Sequence, residues 1–228
     1  MAGREKQLEL TFRSHGGKRE GAGRKPSSKR PPVHHVRRPK VPRNSSAHVT
    51  VRVRPGMPSL RSRRFIRDFQ SRMAVGCERG EFRVCHSSIQ RDHVHFVVEA
   101  ASKEALGRGM KSVGIRLARA VNRVFGRTGP VLFGRYHLRV LRTPREVRNA
   151  LAYVLLNARR HWKKRNGSAP PLVLDVGSSG VWFDGWKRPP PMAEPKGSPP
   201  VARARFWLLR EGWRRRGLVD PAEVPGAA

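Results

Sequence analysis

The chain has 228 residues and carries 49 Lys or Arg against 16 acidic residues, a formal charge of +33. That length suits one domain of ordinary size with tails, and the charge calls for a polyanion to relieve self-repulsion. Nucleic acid is the natural partner, although charge alone separates neither DNA from RNA nor an enzyme from a packaging protein. Cys77 and Cys85 are too few for a disulfide framework or a four-thiolate zinc site. The opening Met1-Ala-Gly-Arg-Glu-Lys lacks a signal-peptide core, and no stretch reaches the roughly 18 apolar residues of a membrane helix. A soluble cytoplasmic protein, associated with the nucleoid and not with a membrane, is expected.

Residues 1–45 hold 13 Lys or Arg against three Glu, and Gly and Pro interrupt any periodic pattern, so they are expected to form a disordered basic arm. Within it Gly23-Arg24-Lys25-Pro26 has the form of a minor-groove hook, with Arg24 and Lys25 as DNA contacts; a plain phosphate-binding tail fits the same residues. From His48 the pattern turns to period two, with Val49, Val51 and Val53 alternating with Thr50 and Arg52, which predicts a strand ended by Pro55-Gly56. A helix follows over 60–73, its apolar residues Leu60, Phe65, Ile66, Phe69 and Met73 three and four apart.

Residues 81–90 and 93–99 then predict two strands joined as a hairpin across Arg91-Asp92. The clearest helix covers 103–125, with Leu106, Met110, Val113, Leu117, Val121 and Val124 on one face. Opposite them fall Arg108, Lys111, Arg116, Arg119 and Arg123, either a solvated surface or a stripe that tracks phosphates. A fourth strand is expected within 131–141, interrupted by Gly134. Thr143-Pro-Arg-Glu146 is a capping box with Pro at the first helical position, predicting a helix to about Lys163.

The order strand, helix, strand, strand, helix, strand, plus one appended helix, predicts an α+β, ferredoxin-like (βαββαβ) antiparallel sheet with helices on one face. Domain boundaries are expected at 1–45 (arm), 46–165 (folded domain) and 166–228. The last span is a Pro/Gly-rich linker followed by a basic aromatic segment, in which 204–217 can form a short amphipathic helix. Its tryptophans are expected to pack back onto the domain, with stacking on exposed bases as the other use.

Two clusters carry chemistry. Residues two apart on a strand face the same way, so His93 and His95 place two imidazoles side by side with Val94 behind them, as two ligands of one metal ion would be. On the last long helix, Val147, Ala150, Leu151, Val154, Leu155 and Ala158 form the apolar stripe, while Asn149, Tyr153, Asn157 and Arg160 lie on another side. A phenol keeps its proton at neutral pH, so attack by Tyr153 needs a nearby cation to favour the ionised form, either a metal ion or Arg160. A divalent ion held by the two histidines and the Asn157 carbonyl would suit phosphoryl transfer. A core-rim tyrosine with its hydroxyl in water is the structural alternative.

His93-Val94-His95 and Tyr153-Val-Leu-Leu-Asn157, in this order on strand and helix, resemble the motifs of the HUH-type single-tyrosine transposases, and the Tyr-x-x-x-Asn form resembles the REP-associated branch. The resemblance covers about residues 46–163. It implies Tyr153 as nucleophile, His93, His95 and Asn157 as ligands of Mg²⁺ or Mn²⁺, and cleavage of single-stranded DNA beside a hairpin through a 5′-phosphotyrosine, by a monomer or homodimer. The competing expectation is a non-catalytic nucleic-acid-binding protein, a domesticated relative in which the same residues are structural.

Overall fold

Strand β1 (Ser45–Arg52) is an interior strand of the sheet, hydrogen-bonded on both sides. The computed structural model describes residues 39–168, 170–191 and 197–226, all within one unit spanning His35–Ala228. Arg24 and Lys25 therefore lie outside the described residues. Around β1 run β2 (Glu78–Arg79), β3 (Phe82–Ile89), β4 (His93–Ala100) and β5 (His137–Leu141) in the order β2-β3-β4-β1-β5. Every pairing is antiparallel. Leaving aside the two-residue β2, this is the ferredoxin-like order expected of a split βαββαβ unit.

Alternation sorts the residues of each strand between two faces. Val49, Val51, Val94, Phe96 and Val98 face the helices α1 (Arg63–Ala74) and α2 (Lys103–Val124), whose apolar stripes complete the first core. Ser62 and Ser102 cap these helices, accepting from the amides of Phe65 and Ala105 and so satisfying donors that the helix start leaves free. Helix α1 begins three residues after Leu60, which is fully buried in the preceding turn. Residues 131–136 make only an isolated bridge, Val53 to Leu132, before β5. Gly134, at φ 63°, turns the chain through the left-handed region and delays the strand.

The expectation of helices on one face needs correcting, because the second face is covered as well. Helix α3 (Pro144–Leu155) starts with the predicted capping box, Thr143 and Glu146 bonding each other's backbone amides. Its Val147, Leu151 and Leu155 pack with Cys85 and Val97 of the sheet. The single helix expected to Lys163 is two: α3 stops at Leu156 (φ −110°, ψ 18°), whose backbone is not helical, and α4 (Asn157–Asn166) begins after it. The Ser178 hydroxyl donates to the Leu155 carbonyl at 3.2 Å, and the Arg159 amide turns instead to Leu156.

The stretch expected as a linker supplies core. Leu174, Phe183, Leu209, Trp213 and Val219 join the α3 layer, and Trp213 is 1% exposed. The helix expected over 204–217 forms as α5 (Trp207–Arg210) and a separate 3-10 turn at Gly212–Arg216. Buried Glu99 on β4 anchors this segment by accepting from the amides of Arg205 (2.8 Å) and Phe206 (2.9 Å), with Arg83 also donating to it. Arg159 donates to the carbonyls of Pro171, Ala222 and Glu223, fastening the chain end to α4.

His86, edge-on to the ring of Phe183, has its pKa lowered to about 4 by burial. It stays neutral in the fold below pH 6.5, while the unfolded chain takes up the proton, so stability is lost as pH falls from about 6.5 toward 4. In urea unfolding, His86→Asn is expected to flatten that decline by up to one proton, about 1.4 kcal/mol per pH unit. A decline with the same slope in both proteins would show that His86 does not contribute.

Candidate active site

The polar face of β1 and β4 lies beneath α3. Thr50 stands opposite His95, and Arg52 opposite His93. His48, two residues before Thr50, shares their face. The Asp92 carboxylate accepts from Nδ1 of His93 at 2.7 Å, which requires the proton on Nδ1 and, in the neutral ring, leaves a lone pair on Nε2. That Nε2 lies 3.0 Å from Nε2 of His95. On the other side of His95, Nδ1 meets Thr50 Oγ1 at 3.0 Å and His48 Nε2 at 3.1 Å. Thr50 and His48 can each donate or accept, so His95 can carry its proton on either nitrogen.

Burial and the neighbouring His93 and His48 lower the pKa of His95 to about 2, and burial with His137 and Arg139 nearby lowers that of His48 to about 4. Both rings are therefore neutral at pH 7 and keep their lone pairs. Two ligands at adjacent corners of an octahedral cation, each about 2.1 Å away, are about 3.0 Å apart. The spacing of the two Nε2 atoms matches that. The Asp92–His93 bond has the form of the carboxylate–histidine support found behind metal-binding imidazoles. Among the described residues, no group of three or more His, Cys, Asp or Glu converges to hold a metal ion. The pair would need neutral amide or external oxygen ligands to complete a shell.

Tyr153 reaches the cluster from α3. Its ring is edge-on to His95 and His48, with centroids 5.2 and 5.6 Å away. The Arg160 guanidinium sits 5.3 Å from the centre of the same ring. The hydroxyl has no hydrogen-bond partner among the described residues, and the side chain is half-buried. Asn157 follows the break at Leu156, and Arg160, the next member of the predicted row, still reaches the Tyr153 ring. Asn157 is 0% exposed, and neither amide atom has a partner among the described residues. A buried amide left unpaired costs about 1–3 kcal/mol, which makes it an available ligand.

The α2 cations lie across the sheet, on the face away from the histidine pair. Arg108 pairs with Glu81, Arg123 with Asp68, and Arg116 donates to the Arg72 carbonyl. Among the described residues, Lys111 and Arg119 of the predicted stripe are exposed without such a partner. His48, Thr50, His137 and His161 are not among the residues that the sequence pattern singles out for chemistry. The pKa of His161 on α4 is lowered by partial desolvation and by the charge of His93. The alternation His48-Val49-Thr50 carried a signal for the first two, since the ferredoxin-like order sets β1 against β4.

No family model and no curated protein sequence matches the chain. Among solved structures it is similar to a REP-associated tyrosine transposase bound to a REP hairpin, with 14% identity and a TM-score of 0.44, over 57% of this chain and 74% of that one. Among the described residues no helix is long and apolar enough to cross a membrane.

Proposed function

We propose that this chain is a metal-dependent enzyme that nicks and rejoins single-stranded, hairpin-containing DNA, with Tyr153 as its nucleophile. The observation that carries this is the meeting of Tyr153 with His95, one member of the imidazole pair, at 5.2 Å between ring centroids on the sheet face that α3 covers. The phenolic oxygen attacks the scissile phosphorus and the 3′-oxygen leaves, giving a 5′-phosphotyrosine and a free 3′-hydroxyl. Attack by a 3′-hydroxyl on that phosphotyrosine reverses the step and reseals a strand, so no external energy is needed.

His93 and His95, with Asn157, are the residues that would hold Mg²⁺ or Mn²⁺; two nitrogen donors favour Mn²⁺ over the oxygen-preferring Mg²⁺. A bound cation would supply charge neutralisation at a non-bridging phosphate oxygen. Asp92 holds the ring of His93, and Thr50 and His48 hold that of His95. Arg160, over the face of Tyr153, favours the developing phenolate and neutralises phosphate charge. The test is a labelled hairpin oligonucleotide with Mn²⁺, run on a denaturing gel. A covalent species is expected that chelator abolishes and whose peptide map carries the nucleotide on Tyr153; no such species under any divalent ion refutes the proposal.

The second reading, a passive polycation, has one observation in its favour. A 3.0 Å contact between two imidazoles is also an ordinary hydrogen bond. Melting of the parent and of Asn157→Leu with and without Mn²⁺ separates the two, because a passive polycation gains no melting temperature from Mn²⁺ in either protein. Removal of an unpaired buried amide should leave the metal-free protein as stable as before or up to about 2 kcal/mol more stable. The melting-temperature rise produced by Mn²⁺ should disappear. An unchanged Mn²⁺ response would remove Asn157 from the ligand set.

A further inference from the structure

Helix α4 leaves the candidate active site as a surface of unusual composition. Its sequence, Asn157-Ala-Arg-Arg-His-Trp-Lys-Lys-Arg-Asn166, contains no acid. Arg159 turns inward to carbonyls, while the residues from His161 onward are exposed. At 100° per residue, Arg160, Lys164, His161, Arg165 and Trp162 follow one another around about 200° of the helix. That arc starts at the Tyr153 ring, where Arg160 sits, and ends at Trp162, an indole 39% exposed. Lys164 and Arg165 form no ion pair among the described residues, in contrast to Arg108 and Arg123 of α2.

We infer that α4 is the track for the single strand next to the scissile phosphate, with Lys164 and Arg165 on backbone phosphates and Trp162 stacked on an unpaired base. The inference rests on the proposed function for its polarity, because it takes Tyr153 as the point from which the track runs. Arg160 to Arg165 spans about 7.5 Å along the axis, which is about the spacing of successive phosphates on an extended strand. A duplex hides the faces of its bases, so an exposed indole beside unpaired cations suits a single strand. The stripe first expected to follow phosphates, on α2, lies on the wrong face of the sheet to deliver DNA to Tyr153.

The test is binding of a fluorescent oligothymidylate, followed by anisotropy over a salt series in chelator, so that no chemistry is involved. Trp162→Ala is expected to weaken binding by about 5- to 100-fold with little change in salt dependence, and Trp162→Phe to restore most of it. Lys164→Ala/Arg165→Ala should reduce the slope of log affinity against log salt by about 1.4. Lys111→Ala/Arg119→Ala, which removes the same charge from α2, should change neither. The inference is overturned if the α4 variants bind like the parent, if the α2 variant loses as much, or if Trp162→Ala weakens a blunt duplex equally. Because metal is absent, failure of the covalent reaction would leave this result standing, and failure here would leave the covalent reaction standing.

Discussion

Tyr153→Phe is expected to remove the covalent protein–DNA species completely, a loss of at least about 10³-fold in strand cleavage, while leaving the fold and DNA affinity unchanged. The expectation follows from how the side chain is held. Its ring makes the contacts: edge-on to His48 and His95, and beneath Arg160. Its hydroxyl bonds to nothing among the described residues. Phenylalanine keeps the ring contacts and loses only the oxygen that would attack. Circular dichroism and thermal melting should therefore coincide with the parent, so a lost adduct cannot be attributed to unfolding. Tyr136, the only other tyrosine, lies in the segment before β5, and Tyr136→Phe should retain the adduct. An adduct that survives in Tyr153→Phe would place the nucleophile elsewhere and separate the imidazole pair from the reaction.

How much of this was legible beforehand depends on the distance over which each signal acts. The capping box at Thr143 and the alternation of His93-Val94-His95 are local, and their consequences appear where the residues themselves predict them. The strand order is longer in range but follows from the order of elements, because a split βαββαβ unit has few ways to pair its strands. The break at Leu156 has only a weak local signal, since Leu155, Leu156 and Ala158 form helix readily and Asn157 less so, and the bond that diverts the Leu155 carbonyl comes from Ser178. Periodicity therefore joined Tyr153 and Asn157 on one helix, whereas the fold ends α3 at Leu155 and buries Asn157 at the start of α4.

A similar limit hid part of the site. His48 and Thr50 become neighbours of His95 only through pairing between β1 and β4, 47 and 45 residues apart in the chain. His161 comes within electrostatic range of His93 only through the turn between α3 and α4. Low hydrophobicity and many Pro and Gly made residues 166–200 resemble a linker, yet a few apolar residues at wide spacing suffice to cover α3. Composition averages over a segment, and burial depends on single residues such as Leu174 and Phe183.

Trp213→Ala is expected to destabilise the protein by about 3–5 kcal/mol. That is a large share of the about 5–15 kcal/mol that holds an ordinary domain together. Trp213 is 1% exposed and stacks on Phe183, with ring centroids 5.5 Å apart, in the layer that packs against α3. The contact is close enough that a Cβ at Gly185 would come within 2.3 Å of the indole. Gly185→Ala therefore tests the same packing from the other side and should cost about 1–3 kcal/mol by overpacking. A melting temperature unchanged in both variants would show that the C-terminal segment is a detachable tail. If it falls as expected, the consequence reaches the chemistry, because the layer that Trp213 fills is the one on which the Tyr153 helix rests. Below its melting temperature, Trp213→Ala should then lose more adduct yield than single-strand affinity, since the proposed binding surface lies on α4 and the proposed nucleophile on α3.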